Sequence, residues 1–283
     1  MKKIILIYML IVTIISAKEK IRAISTSQFT TEILLSIGAE DQVIGTSFLD
    51  DEILPELKEK YDKIPILSKT APTKELFYSL NPNFLTGWKS IATKKYLGTL
   101  EELNENGVDV YFAKSQETQN IDDIYKDILY FGKKFSVEEN AKVLVEKLKK
   151  DIEIVENLKD KNKTLKVFAY DSQESAPYVV GGSGVANKMI EISGGENIFK
   201  DSNFSFGVGN WENVLEKNPD VIVVVDYGDT SYEEKVRFLK ERSPISELKA
   251  VKENKFIRVP LSYLSPGVRV AEGIKLMAQK FYE

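Results

Sequence analysis

Neither histidine nor cysteine occurs among the 283 residues, so any chemistry in this chain must be built from carboxylates, lysines, tyrosines and backbone groups. Imidazole is the usual general base near neutral pH and the commonest transition-metal ligand; without it, every His-dependent triad and a bare zinc or manganese site are disfavoured. Thiolate nucleophiles, thiolate metal centres and disulfides are excluded with cysteine. Carboxylate pairs remain, and a glycoside hydrolase would need two of them about 5 Å or about 6.5–9.5 Å apart in one cleft. Glu75 and Glu212 stand out, because each heads a short helical pattern and is followed at the same interval by Asn-Pro, as Asn81-Pro82 and Asn218-Pro219. A repeated unit of this kind places the two glutamates in separate halves of the chain, which makes them poor partners in one reaction.

Two further groupings suggest binding. Gly181-Gly182-Ser183-Gly184 resembles a phosphate loop, but it lacks the Gly-Lys-Ser/Thr ending and does not form Gly-x-Gly-x-x-Gly; it reads as a flexible loop at a cleft edge. Asp50, Asp51 and Glu52 lack the spacing of a calcium loop and read as a solvated turn.

The elements that must position these residues alternate short apolar runs with helical patterns, the pattern of parallel sheets covered by helices. Strands are expected at Ile21–Ser25, Val43–Thr46, Asn83–Thr86 and Val108–Phe112, then at Leu165–Tyr170, Val221–Val225 and Phe256–Val259. Helices are expected at Thr31–Ile37, at Leu100–Asn106 behind a Thr99/Glu102 capping box, and at Val185–Ile192, Tyr232–Arg242 and Val268–Phe281. Between the halves, Val137, Ala141, Leu144, Leu148, Ile152 and Val155 form one apolar stripe. They predict an unbroken helix over 136–158, about 33 Å long, opened by a Ser136/Glu139 capping box. The expected organisation is therefore a leader at 1–17, an N-terminal lobe at 18–135, a connecting helix at 136–160 and a C-terminal lobe at 161–283.

The leader reading rests on Lys2 and Lys3, the apolar run Ile4–Ile15 and the small residues before Ala17. It describes a cleavable signal peptide, too short at about 18 Å to span a hydrocarbon core of about 30 Å. With no cysteine to carry a lipid anchor, an exported chain of this kind fits a periplasm. The formal net charge of −4 becomes more negative once the two leader lysines are removed, which argues against nucleic acid as a partner.

Several stretches carry a resemblance to a known family. Ile24 to Asp50, with its Thr-Glu-Ile-Leu-Leu-Ser-Ile-Gly-Ala core and Val43-Ile44-Gly45, resembles the opening of the ferric siderophore, haem and cobalamin binding proteins of ABC importers. Similarity extends to Trp211-Glu212 with Asn218-Pro219-Asp220-Val221-Ile222, to Gly194-Gly195-Glu196-Asn197-Ile198-Phe199, and to Ala250-Val251-Lys252-Glu253-Asn254-Lys255. The resemblance implies an α/β protein with two Rossmann-like lobes of parallel strands, joined by one long helix, with limited hinge motion and a ligand in the cleft between the lobes. It implies a monomeric, non-enzymatic binding protein with no intrinsic cofactor. Such a protein delivers an iron(III) chelate, foremost a ferric siderophore, to an importer of permease and ATPase subunits. Haem or a corrinoid is the alternative; haem would need an axial tyrosine or methionine here. Glu75 and Glu212 match the acidic residues, one per lobe, that engage permease arginines in this family. A simpler role for each is to favour its helix N-terminus.

Ligands of open parallel sheets sit beyond the carboxyl ends of the strands, and that rule nominates the contacts. In the first lobe they are Lys69, Trp88 and Lys89, cations for an anionic or carbonyl-rich chelate and an aromatic face for its organic periphery. Thr26, Ser27 and Gln28 either donate to ligand or cap the next helix. In the second lobe they are Tyr178, Phe206, Tyr227 and Tyr263, while Trp211 reads as a packing residue. Arg269 either bonds ligand oxygen or is paired within the protein.

Overall fold

Runs of β-branched and aliphatic residues set the two sheets. The computed structural model describes residues 20–158 and 164–282; the expected leader and the charged run 159–163 lie outside the described residues. The N-terminal lobe contains β1 (Ala23–Thr26), α1 (Gln28–Ser36), β2 (Val43–Ser47), α2 (Lys58–Tyr61), β3 (Ile66–Ser68), α3 (Lys74–Ser79), β4 (Phe84–Gly87), α4 (Leu100–Glu105), β5 (Asp109–Val110) and α5 (Asp122–Phe135). Its five strands are all parallel in the order β3-β2-β1-β4-β5. The order reverses between β1 and β4, so the crevice of this lobe opens beyond Thr26 and Gly87. Gly87 has φ +139°, and an added Cβ would lie 2.1 Å from Thr26 Oγ1. Only glycine fits there, and it lets the chain turn beside β1 and present Trp88 to the crevice.

After α6 (Glu138–Leu158) come β6 (Leu165–Ser172), β7 (Tyr178–Val180), α7 (Val185–Ile192), β8 (Gly195–Asn197), β9 (Phe206–Val208), α8 (Trp211–Lys217), β10 (Val221–Asp226), α9 (Tyr232–Glu241), α10 (Lys249–Lys252), β11 (Phe256–Pro260), α11 (Leu261–Leu264) and α12 (Val270–Tyr282). The second sheet runs β11-β10-β6-β7-β9, with β8 beside the start of β6. It is mixed rather than purely parallel, since β7 pairs antiparallel with both β6 and β9. The buried run Val221–Val225 of β10, which lies between β11 and β6, has the continuous apolar pattern of a strand covered on both faces.

The expected connecting helix is present without a break, but it starts later. Ser136 has left-handed angles (φ 60°) and closes α5, with Val137 N donating to Gly132 O at 2.8 Å. That backbone is a helix C-terminus and not the extended N-cap of the expected capping box. The Thr99/Glu102 box is formed as expected. Ala141, Leu148, Ile152 and Val155 of the α6 stripe are buried. α6 packs on α5 of the first lobe and on α12 of the second. One apolar cluster runs without interruption from α1 and α5 through α6 into α12 and the inner residues of β10, so the two lobes share a core.

Candidate functional site

Serines and threonines crowd the carboxyl end of β1, and most bond one another. Ser27 Oγ accepts from Thr30 N (3.3 Å) and caps α1, while Thr31 Oγ1 bonds Ser25 Oγ and Thr46 Oγ1, each at 2.8 Å. Thr26 donates to Thr86 O. Gln28, buried, does something the sequence did not suggest: its Oε1 accepts from Asp50 N (3.0 Å) and Asp51 N (2.8 Å), and its Nε2 donates to Glu52 O. The 50–52 segment is therefore a held element and not the solvated turn expected. Asp51 reaches the other lobe, its Oδ2 accepting from Ser262 Oγ at 2.9 Å.

Arg269, from the head of α12, crosses in the same place. Its guanidinium donates to both carboxylate oxygens of Glu32 on α1, with Nε to Oε2 at 2.8 Å, and to Glu52 O. Both side chains are almost wholly buried, at 5% and 2% exposure. Arg269 thus takes the second of its two expected roles, pairing inside the protein. The guanidinium also lies 5.3 Å from the Tyr263 ring. Gly267 packs directly on Phe29, whose ring meets Trp88 edge-on at 4.9 Å.

Between the lobes lies a cavity of about 300 Å³, with Trp88, Lys89, Ser115 and Gln116 on one side and Val185 and Phe206 on the other. Three of the nominated residues, Trp88, Lys89 and Phe206, meet there. Lys89 is ion-paired with Glu117 at 2.8 Å. Lys69 is exposed and outside the cavity wall. The 114–117 segment is set by Asp127, a buried carboxylate of α5 that accepts from Lys114 N, Ser115 N and Tyr111 OH. Burial and that carboxylate push the Tyr111 phenol far up. Gln116 O accepts from Ser205 Oγ across the cleft at 3.3 Å. Ser115 Oγ is buried without a hydrogen-bond partner, a feature no sequence pattern signalled.

The Gly181–Gly184 segment departs from its expected flexibility. Gly181 N and Ser183 N donate to Ser205 O and Phe204 O, and a Cβ on Gly182 would lie 1.9 Å from Lys200 O. Its glycines permit close packing. Beside it Tyr178 OH donates to Phe206 O (3.3 Å), and Tyr227 OH donates to Asp171 Oδ1 (3.0 Å) at the end of β6. Burial raises both phenols and the Asp171 carboxyl. Buried Lys235 stands 4.8 Å from the Tyr227 ring, donates to Val225 O at 2.7 Å, and is lowered by burial. Trp211 is buried, its indole donating to Glu174 O, and packs as expected.

Asp50 is half-buried and titrates at about 6, raised by burial first and by Asp51 second; its charge is felt by Tyr227 across the cleft. Ionising a carboxyl whose folded pKa lies above its unfolded value destabilises the fold. The destabilisation is complete above about pH 6 and gone below about pH 4. Asp50→Asn should therefore stabilise the protein by about 1–2 kcal/mol at about pH 7 and leave it unchanged at about pH 4. Urea unfolding at both pH values checks this; an equal effect at both would show that the carboxylate is not desolvated.

Glu75 and Glu212 are exposed in the first turns of α3 and α8, whose caps are Thr73 and Asn210. Its own backbone NH and Thr73 hold the Glu75 carboxyl below its usual range. Asn81 and Asn218 both take left-handed angles, φ 48° and 47°, so the repeated unit has repeated backbone geometry. Both helices begin where a strand ends at its carboxyl side, β3 and β9, which places the two glutamates on the cleft side of their lobes.

Residues 24–263 match the periplasmic binding protein family. The chain belongs to that family. A periplasmic binding protein from Veillonella parvula superposes with a TM-score of 0.85 at 30% identity, covering 92% of this chain and 90% of that one. A possible iron-binding (periplasmic solute-binding) protein from Staphylococcus epidermidis superposes with a TM-score of 0.74 at 25% identity, covering 94% and 100%. The vitamin B12-binding protein of Yersinia pestis is 23% identical over 203 residues, which are 72% of this chain and 69% of that one. This periplasmic binding protein therefore has the two-lobed α/β architecture that its sequence resembled. Among the described residues no helix is long and apolar enough to cross a membrane, and no cluster of three or more acidic side chains is arranged to hold a bare metal ion.

Proposed function

We propose that this periplasmic binding protein is exported on a leader cleaved after Ala17, captures an iron(III) chelate between its lobes, and delivers it as a monomer to an ABC importer without altering it chemically. The supporting observation is the interlobe cavity, which Trp88 of the first lobe and Phe206 of the second both line. Aromatic walls with a few fixed polar groups suit an amphipathic complex. Glu75 and Glu212 are the docking residues in this reading. Each is exposed beside an exposed leucine, Leu76 or Leu215, so each lobe offers a carboxylate with apolar surface to a protein partner.

A corrinoid is the second reading, favoured by the similarity to the Yersinia pestis protein. Haem in this cleft would draw its axial ligand from Tyr178 or Tyr227. Titration of the mature chain with ferric siderophores, haem and cobalamin should quench tryptophan emission for one class, and Trp88→Phe should remove most of that quench because Trp211 is buried in the second lobe. Calorimetry showing no binding across all three classes would overturn the ligand assignment.

A further inference from the structure

Trp88 enters the interlobe cavity where the bonding of the first sheet gives out. Along the β4 edge, Asn83 O accepts from Asp109 N and Leu85 O accepts from Tyr111 N, each at 3.0 Å. The next acceptor in that series is Gly87 O, but β5 ends at Val110. Gln116 supplies the missing bonds from its side chain. Its Nε2 donates to Gly87 O (3.0 Å) and its Oε1 accepts from Lys89 N (3.2 Å). In a parallel ladder a residue donates to the carbonyl before its partner and accepts from the NH after it. The Gln116 amide makes that pair of bonds on either side of Trp88, so it stands in for a strand residue opposite the tryptophan. Because one flank offers a carbonyl and the other an NH, the amide fits only one way round.

Gln116 is itself placed from behind. Asp127, buried in α5, accepts from Lys114 N (3.0 Å) and Ser115 N (2.9 Å), and Ser205 Oγ of the second lobe donates to Gln116 O. The Lys89–Glu117 ion pair joins the same two segments, but it is exposed on both sides and secures the lysine tip, not the backbone beside Trp88. Resting on the reading that ligand occupies the interlobe cavity, we infer that Gln116 is a positioning residue: its amide clips the chain on both flanks of Trp88 and holds the indole in the orientation that ligand meets. Trp88 and Gln116 line the same cavity. A wall fixed before binding leaves less to be ordered when ligand arrives.

The test uses the mature chain labelled with fluorotryptophan, whose two tryptophans give separate fluorine NMR lines assigned with Trp88→Phe. Gln116→Leu, similar in size but unable to make either bond, should broaden or split the Trp88 line and leave the Trp211 line as in the wild type. Gln116→Glu keeps the acceptor for Lys89 N and loses the donor to Gly87 O; it should show a smaller change of the same kind, and it serves if the leucine variant does not fold. Ser205→Ala should leave the Trp88 line unchanged. Whichever of a ferric siderophore, haem or cobalamin the wild type binds should bind Gln116→Leu about tenfold more weakly, as expected when the competent Trp88 orientation falls to about a tenth of the population. In a Trp88→Ala background the same substitution should have no further effect on affinity. An unchanged Trp88 line, or an equal change in both lines, overturns the clip. An equal loss of affinity with and without Trp88 would mean that Gln116 acts by touching ligand itself, which overturns the positioning role while leaving the cavity reading intact. Absence of binding by the wild type to all three ligand classes overturns the cavity reading, and the NMR lines still decide the clip.

Discussion

Arg269→Met is expected to destabilise the protein by about 3–5 kcal/mol, more than the loss of any surface ion pair in the molecule. Glu32 would be left with its carboxylate almost wholly buried and its cation removed. The carbonyl of Glu52 would lose a donor as well. The companion double variant Glu32→Leu/Arg269→Met should recover most of the loss, because a buried pair replaced by packed apolar groups is often neutral. Denaturant unfolding of the three proteins gives the coupling directly. A loss below about 1 kcal/mol for Arg269→Met would mean that water reaches Glu32 and that the lobes are not joined there. Since one apolar cluster spans both lobes, each variant should still unfold in a single cooperative transition.

The second expected result is loss of transport without loss of binding. If Glu75 and Glu212 dock the importer as proposed, Glu75→Lys combined with Glu212→Lys should abolish chelate uptake in cells, because two carboxylates meeting basic pockets would become like charges facing them. Ligand affinity should stay within about twofold, since both side chains are exposed at helix starts and outside the cavity wall. Uptake assays with radio-iron chelate, paired with calorimetry on the purified variant, separate the two outcomes. A large fall in affinity would show that these glutamates belong to the cleft.

What can be read from the sequence depends on the range of the interaction that fixes each feature. Val221–Val225 is legible because a strand buried on both faces must be continuously apolar, and the Thr99/Glu102 box because capping is local. β7, β8 and β9 span three residues each, too few for a period to show. α5 is absent from the expected elements although Ile124, Ile128, Phe131 and Phe135 recur at helical spacing and are buried. The acidic start and the interior Gly132 obscure it. Aromatic cleft residues can be nominated from strand ends alone, and Trp88 and Phe206 do line the cavity. The fate of Arg269 is invisible in the sequence because its partner comes from a distant segment. Glu32 lies 237 residues from Arg269, and no local pattern records such a pairing.

The fastening of the lobes at two places, by α6 and by the Arg269 pair beside the cleft, constrains how the importer can learn whether cargo is aboard. If Glu75 and Glu212 are the docking residues proposed above, their nearly fixed spacing means that an empty carrier would offer the membrane machine almost the same two footholds as a full one. On the docking reading proposed above, empty copies would then compete with loaded ones for the importer, and transport rate should depend on the ratio of loaded to unloaded protein in the compartment, not on the loaded concentration alone.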